Sequence, residues 1–199
     1  MVGAKRKKSE KYSYADYLKW NDDKRYEIID GDVYDMTSPT LDHQMISMEL
    51  CRQFANFLED KPCRVLHAPF DLILARKNKK AEEITTVLQP DILVVCDEKK
   101  TTQQGVFGAP DLVVEIISPS TASRDNILKR SVYEKAGVKE FWLIHPADRL
   151  VRIYRLGKDG LFGREDIFDH TATIEVKTMP GLTIDGPKLF AGVKPPEHS

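Results

Sequence analysis

The feature that most constrains this fold is one charged residue inside an apolar run. Residues 112–117 read Leu-Val-Val-Glu-Ile-Ile, so that Glu115 has aliphatic neighbours on both sides. A continuous apolar run of this length is typical of a strand that is buried on both faces. An ionised carboxylate in such a strand costs several kcal/mol unless a cation or a set of donors meets it. We therefore expect a buried sheet in which a positive charge faces Glu115.

The beginning of the chain predicts a hairpin after a short helix. A helix is predicted over residues 13–20, followed by strands over 26–29 and 32–34. Asp30 and Gly31 separate these two strands, and an Asp-Gly pair is typical of a tight two-residue β-turn. The chain should therefore reverse its direction at these two residues.

Two longer helices and a series of strands follow the hairpin. Apolar residues at helical spacing predict a helix over residues 41–59. A second helix is predicted over residues 123–136, because Gly137 is a typical residue at the end of a helix. Together with the strands, these helices predict a mixed α/β sheet with helices packed on it. The predicted strands cover residues 64–67, 70–75, 91–96, 112–117, 141–145 and 151–156, with weaker strand signals over 162–176.

The length and composition predict a single soluble domain. The chain has 199 residues, of which 41% are apolar and 31% are charged, and this balance is ordinary for a soluble protein. We expect a flexible basic tail over residues 1–11, the domain over 12–190 and a flexible tail over 191–199. The apolar stretches are far shorter than the ~18 residues of a membrane span, and the N-terminus has no apolar signal segment. A cytoplasmic protein without a membrane partner is therefore expected.

The net charge and the cysteines exclude some classes of function. A net charge of -1 argues against a protein that coats nucleic acid through bulk charge, although it leaves room for a local basic patch. The three cysteines, Cys51, Cys63 and Cys96, are odd in number, widely spaced and surrounded by apolar residues. We expect them to be free buried thiols, and neither a disulfide framework nor a zinc site.

A second carboxylate stands at the start of another apolar strand. Pro90 precedes Asp91, and proline belongs at the start of a strand because it has no N–H for the ladder. Asp91 is followed by Ile-Leu-Val-Val, so its side chain should lie at the mouth of a buried strand. Two carboxylates on neighbouring strands suit Mg²⁺, which takes one or two carboxylates and keeps several waters.

The second helix offers a cation for Glu115. At 100° per residue, Lys129 and Asp125 both fall within the apolar stripe of this helix, which faces the sheet. Two interpretations stay open at this point. Lys129 either meets Glu115 in the core or extends past the core edge to pair with Asp125 one turn earlier.

Several motifs occur together along roughly residues 12–190 of the chain. They are Ile29-Asp30-Gly31-Asp32-Val33, His43-Gln44, Gln89-Pro90-Asp91, the block from Gly108 to Thr121, Arg124-Asp125 through Lys129 to Tyr133, Gly137-Val138 and Phe141-Trp142-Leu143-Ile144. In these motifs the chain resembles the Uma2 family, within the PD-(D/E)xK superfamily of restriction-endonuclease-like nucleases. The resemblance implies a mixed β-sheet core flanked by helices, with an N-terminal β-hairpin.

The resemblance also implies a set of site residues. Asp91 and Glu115 would be the acidic pair, and the backbone carbonyl of Ile116 would join them around the metal. The superfamily usually has a lysine two residues after the glutamate, but Ile117 occupies that position here. Related members carry the lysine on the following helix, and Lys129 matches that relocated position.

The implied activity is metal-dependent hydrolysis of the phosphodiester bonds of DNA. Mg²⁺ would be the cofactor, with Mn²⁺ as a substitute, and a homodimer would allow both strands to be cut. His43, Ser118 and Asp125 are auxiliary candidates, for which a structural role is the competing interpretation. Two alternatives stay open for the chain. It could be an inactive nuclease-fold module that binds nucleic acid or a protein partner, or Glu115 and Lys129 could form a purely structural ion pair.

Overall fold

The computed structural model describes residues 10–118 and 124–193, and the side chains of residues 124–126 lie outside the described part. Within these ranges, four α-helices, thirteen strands and a π-helix are assigned. In chain order the helices and strands are α1 (Tyr14–Tyr17), β1 (Tyr26–Ile29), β2 (Asp32–Asp35), α2 (Leu41–Leu58), β3 (Arg64–His67), β4 (Asp71–Ile73), β5 (Val87–Leu88), β6 (Ile92–Val95), β7 (Gly105–Phe107), β8 (Leu112–Ile116), the π-helix (Arg124–Lys129), α3 (Arg130–Ala136), β9 (Glu140–His145), β10 (Leu150–Arg155), β11 (Asp166–Asp169), β12 (Thr173–Glu175), β13 (Thr183–Asp185) and α4 (Gly186–Leu189).

A six-stranded sheet forms the centre of the molecule, in the order β11-β10-β9-β8-β6-β3. Strands β8 and β9 are parallel, and the other neighbours in this sheet are antiparallel. All five residues of β8 are buried, as the apolar run predicts. The predicted mixed α/β sheet with flanking helices is therefore confirmed.

Each face of the central sheet is covered by different elements. Helix α2 places Ile46, Leu50, Phe54 and Leu58 in the core on one face. The other face contacts α3 and a five-stranded sheet in the order β2-β1-β5-β4-β7. Because β1 belongs to that second sheet, a side chain from the hairpin can reach the end of β8.

The predicted hairpin is confirmed in position and in turn type. Strands β1 and β2 pair antiparallel, with Ile29 opposite Asp32. The two turn residues both have positive φ angles, 50° at Asp30 and 83° at Gly31. A two-residue turn with two positive φ angles matches the right-handed twist of the flanking strands.

The helix predicted over residues 123–136 is confirmed from Arg124 onward, but only its second half is α-helical. Residues Arg124–Lys129 form a π-helix, and the α-helix begins at Arg130 and ends before Gly137 at φ 87°. A rotation of 100° per residue therefore applies only to α3. The prediction of a one-turn Asp125–Lys129 pair rests on α-helical spacing, and the side chain of Asp125 lies outside the described residues.

The expectation of three free thiols is wrong, because Cys63 and Cys96 form a disulfide. Strands β3 and β6 pair antiparallel, with Arg64 opposite Val95. The next pair outward is Cys63 and Cys96, whose Cα atoms lie 3.9 Å apart. The two residues are distant in sequence, but the register places them side by side. Only Cys51 is a free thiol.

The ends of the domain differ slightly from the prediction. Val193 is buried among the core residues, so the folded chain continues three residues past the predicted boundary at residue 190. Residues 1–9 and 194–199, which hold most of the two predicted tails, lie outside the described residues. Among the helices that are described, none is long and apolar enough to cross a bilayer.

Candidate active site

A cleft of about 370 Å³ lies where β1, α2, the start of β6 and the end of β8 come together. Its polar lining includes most of the residues that the sequence predicts for the site. Asp91, Glu115, Ile116, Ser118, His43 and Lys129 all line this cleft. The cleft therefore brings together side chains from elements that are far apart along the chain.

Glu115 meets a buried lysine and a buried tyrosine. The Lys129 ammonium lies 2.9 Å from Glu115 Oε2, and the Tyr133 hydroxyl donates a hydrogen bond of 2.5 Å to Glu115 Oε1. Side-chain exposure is only 5% for Glu115 and 3% for Lys129. The positive charge that the apolar strand requires is therefore the Lys129 ammonium. Tyr133 is a second partner of Glu115. Its position among apolar residues of the sequence would by itself indicate only core packing.

Glu27 is part of this cluster, and it was missed in the sequence. Its side chain on β1 is fully buried, and its Oε1 lies 2.9 Å from the Lys129 ammonium. The same oxygen accepts a hydrogen bond from the backbone N–H of Gln89. Glu27 Oε2 is buried and has no hydrogen-bond partner among the described residues. The available signal was the run Tyr26-Glu27-Ile28-Ile29, which places a charge in an apolar strand as at Glu115.

Gln89 connects Glu27, through its backbone N–H, to a second polar group that its side chain contacts. Its amide nitrogen donates to Asp71 Oδ1 at 2.9 Å and to the Tyr17 hydroxyl at 3.2 Å. Burial raises the pKa of the Asp71 carboxyl, and burial together with Asp71 raises that of the Tyr17 hydroxyl. These bonds fix Gln89, and its backbone N–H therefore holds Glu27 in place.

Asp91 is held at the mouth of β6 by two contacts. Its Oδ2 accepts a hydrogen bond of 2.7 Å from the backbone N–H of Ile116. Its Oδ1 lies 3.1 Å from His43 Nε2, which comes from the first turn of α2. In a strand, the N–H and the C=O of one residue point to the same side. The Ile116 carbonyl is therefore directed to the side of β8 on which Asp91 lies.

The remaining predicted positions divide into those in the cleft and those outside it. His43 lies against Asp91, and its Nδ1 is buried without a hydrogen-bond partner among the described residues. Ser118 lines the cleft just after Glu115. Ile117, at the position where the resemblance would place a lysine, packs in the apolar core. The side chain of Asp125 is not described, so its auxiliary role stays a prediction.

Asp111, which follows Pro110 in a second Pro-Asp pair, lies at the other end of β8 from the cleft. Its Oδ2 accepts a hydrogen bond of 2.8 Å from the backbone N–H of Cys96, and its Oδ1 lies 2.6 Å from the Lys139 ammonium. It does not line the cleft. Asp111 therefore has a structural role at the start of the strand.

Among the described residues that line the cleft, the three carboxylates outnumber the two lysine or arginine cations. Glu27 and Glu115 share one ammonium, that of Lys129, at 2.9 Å each, and Asp91 adds a further carboxylate to the same cleft. Such clustered carboxylates either take up protons or attract a cation.

Burial, and next the negative charge of Asp91, raise the pKa of the Cys51 thiol in this cleft to about 11.

The oxygen donors in the cleft fit a hard divalent cation. Within residues 10–118 and 124–193, no three His, Cys, Asp or Glu side chains are grouped closely enough to hold a metal by themselves. Mg²⁺ requires less, because it binds through one or two carboxylates and keeps several waters. Asp91, Glu115 and the Ile116 carbonyl provide such oxygens in the lining of the cleft.

Comparisons with known proteins agree with this fold. The sequence model of the Uma2 family, described as "Putative restriction endonuclease", matches residues 14–186. The protein slr1290 of Synechocystis sp. (strain ATCC 27184 / PCC 6803 / Kazusa), described as uncharacterized, is 28% identical over 155 residues, which cover 75% of this chain and 77% of that protein. A crystal structure from Anabaena variabilis ATCC 29413, described as "a putative nuclease belonging to DUF820", has a TM-score of 0.70 at 22% identity and covers 90% of this chain and 98% of its own.

Proposed function

The chain belongs to the Uma2 family, and from this premise we propose that it is a metal-dependent endonuclease that hydrolyses phosphodiester bonds of DNA. One observation carries the proposal. The Lys129 ammonium lies 2.9 Å from Glu115 in a cleft that Asp91 and Ile116 also line. This set of groups is the one that the relocated-lysine pattern of the superfamily predicts.

Asp91, Glu115 and the Ile116 carbonyl would hold the metal ion. Mg²⁺ is the proposed cofactor, and Mn²⁺ would substitute for it, because both are hard cations with a preference for oxygen ligands. When bound, the ion would supply positive charge next to the scissile phosphate and acidify water at the site. Its charge would also offset the surplus of carboxylates in the cleft.

Lys129 would orient the attacking water or stabilise the negative charge that develops on the phosphate. Its place between Glu27 and Glu115, at 2.9 Å from each, fixes the direction of the amine. Because the lysine side chain is almost fully buried, its charge acts in a medium of low dielectric constant. Tyr133 and Glu27 would act as positioning residues, since each holds one member of the Glu115–Lys129 pair.

His43 would position Asp91. Its Nε2 lies 3.1 Å from Asp91 Oδ1, while the Ile116 N–H holds the other oxygen. The carboxylate is therefore fixed from two sides, which reduces the reorganisation needed when a ligand binds. A homodimer and a cytoplasmic location remain predictions from the sequence.

The test is cleavage of supercoiled plasmid, single-stranded and branched DNA in Mg²⁺, in Mn²⁺ and in EDTA. We expect cleavage by the wild type only with the metal, and loss of cleavage in Asp91→Ala, Glu115→Gln and Lys129→Ala. Asp111→Asn is the matched control, because Asp111 lies on the same strand but does not line the cleft. Equal activity of the wild type and Asp91→Ala would show that this cleft is not catalytic.

The alternative is a nuclease-fold module that binds nucleic acid or a protein partner without turnover. The observation that favours it is Ile117, which is buried in the core where the usual lysine would stand. The same assay separates the two functions. A wild type that binds DNA and takes up Mg²⁺, but cleaves none of the three DNA forms, would establish the module.

A further inference from the structure

The cations that line the cleft differ in their partners. Within the described residues, Arg25 and Lys129 are the two lysine or arginine residues in its lining. Lys129 lies between two carboxylates and its charge is offset by them. The Arg25 guanidinium has neither a hydrogen bond nor an ion pair with any residue that the structure describes. Arg25 therefore contributes a positive charge to the cleft that no carboxylate of this part of the chain neutralises.

The register of the hairpin explains where Arg25 lies. Its carbonyl accepts a hydrogen bond of 3.0 Å from the Met36 N–H, which extends the pairing of β1 and β2 by one residue. Side chains alternate along a strand, so that Arg25 and Glu27 share one face, about 6.6 Å apart along the strand. Glu27 is fully buried and Arg25 is only half-buried. Arg25 is thus nearer to the mouth of the cleft than Glu27.

A phosphodiester strand that enters this cleft approaches an excess of negative charge. Glu27, Glu115 and Asp91 outnumber the single Lys129 ammonium. A metal ion would offset part of this excess at the scissile phosphate, but the neighbouring phosphates of the strand carry charge as well. A cation at the mouth is therefore needed to make the approach favourable.

We propose that Arg25 binds a backbone phosphate of the substrate strand at the mouth of the cleft, adjacent to the scissile phosphate. The inference rests on the proposed nuclease function and adds a substrate-binding residue to it. A guanidinium is suited to this place because its planar donors can form two parallel hydrogen bonds to one phosphate. Lysine at this position would keep the charge but lose the paired hydrogen bonds.

The experiment measures binding of fluorescently labelled DNA by anisotropy at several salt concentrations. Ca²⁺ replaces Mg²⁺ because it takes the same kind of oxygen ligands, and a gel shows that the DNA stays intact. Wild type, Arg25→Gln, Arg25→Lys and Arg76→Gln are compared on single-stranded and duplex oligonucleotides. Arg76 is the matched control, since it is an exposed arginine outside the cleft and its replacement changes the net charge equally.

We expect Arg25→Gln to weaken binding roughly 10- to 100-fold. The slope of log K against log salt should fall by about 0.9 on duplex or about 0.7 on single-stranded DNA, as expected for one lost phosphate contact. Arg25→Lys should keep the slope and lose part of the affinity, and Arg76→Gln should match the wild type. An unchanged slope in Arg25→Gln, or an equal loss in Arg76→Gln, would overturn the inference.

The two proposals fail in different ways. A wild type that cleaves DNA while Arg25→Gln binds it normally would refute only the role of Arg25. A wild type that neither binds nor cleaves DNA in any form would refute the nuclease function and the role of Arg25 together. Thermal melting of each variant identifies any that has lost its fold.

Discussion

Glu115 on β8 and Glu140 on β9 are both buried and lie on neighbouring parallel strands. They differ in their hydrogen-bond partners and in whether they face the cleft. Glu140 is fully buried and accepts hydrogen bonds from Trp142 Nε1 at 3.0 Å and from the Thr178 N–H at 2.9 Å. The Arg155 guanidinium lies 3.6 Å away. Glu140 does not line the cleft, whereas Glu115 does.

The difference shows that burial alone does not indicate a functional carboxylate. Glu140 accepts hydrogen bonds from one side chain and one backbone group in the core, and one arginine lies beside it. Its charge is therefore satisfied within the protein. Glu115 shares its lysine with Glu27, and both face a cleft that Asp91 also lines. Negative charge that exceeds its partners and faces a cavity is therefore the informative feature.

The largest effect on stability is expected for Lys129→Met. The change leaves Glu27 and Glu115 buried without their shared cation, and breaking a buried pair costs about 3–5 kcal/mol. Urea unfolding measures this loss. The control is Lys139→Met, because Lys139 is mostly exposed where it pairs with Asp111 and should cost less than about 1 kcal/mol. Equal stability of Lys129→Met and wild type would mean that the two carboxylates are not held as ions by this lysine.

A smaller but clear loss of stability is expected for Glu140→Gln. The amide retains one acceptor oxygen, so that one of the two donors, Trp142 Nε1 or the Thr178 N–H, loses its partner. An unsatisfied buried donor costs about 1–3 kcal/mol. Cleavage per folded molecule should be unchanged, since Glu140 lies outside the cleft. Loss of cleavage in a folded Glu140→Gln protein would contradict the contrast between the two glutamates.

Glu115→Gln should have less effect on stability than Glu140→Gln. Lys129 keeps Glu27 as its partner, and removing one of two clustered carboxylates relieves repulsion in the metal-free protein. We expect a change within about 1 kcal/mol and loss of the heat of Mg²⁺ binding in a calorimetric titration. A loss of several kcal/mol with normal Mg²⁺ binding would instead support a purely structural Glu115–Lys129 pair.

The smallest effect is expected at Cys51, because the pKa of its thiol responds to the charge of Asp91. Burial and Asp91 together raise the pKa of this thiol to about 11. Asp91→Asn removes the second cause, so that the pKa falls and more thiolate is present at pH 9. Because thiolate is the reactive form, alkylation by iodoacetamide should be roughly two- to five-fold faster. Mass spectrometry of the labelled protein measures the rate.

The matched control for Cys51 is again Glu140→Gln. Glu140 lies outside the cleft, so its replacement should leave the alkylation rate unchanged. Cys51 is the free thiol of the chain, and the other two cysteines are joined in the disulfide, so labelling reports one site. Equal rates in wild type and Asp91→Asn would show that the Asp91 charge does not reach this part of the cleft.

The sequence predicted the parts of the site that produce a strong local pattern. Glu115 is conspicuous in its apolar strand, and Pro90 marks Asp91 as the start of another. Lys129 was placed toward the sheet by an α-helical wheel, yet its segment is a π-helix. Lys129 was therefore placed correctly, although the α-helical geometry used to place it begins only at Arg130.

Other features depend on the pairing of distant segments, which a single sequence does not contain. Cys63 and Cys96 join only because the register of β3 and β6 makes them neighbours. Glu27 enters the site only because the second sheet brings β1 to the end of β8. Strands of two or three residues, such as β5 and β7, are too short to show a periodic pattern.

The order in which the cleft is assembled has a consequence for synthesis of the protein. Its residues come from β1, α2, β6, β8 and the π-helix, so Lys129 leaves the ribosome after the three carboxylates of the cleft. A nascent chain that ends before residue 129 has Glu27, Asp91 and Glu115 but lacks the ammonium that Glu27 and Glu115 share. Because domains fold as units, the proposed enzyme would stay inactive toward nearby nucleic acid until translation has passed this helix.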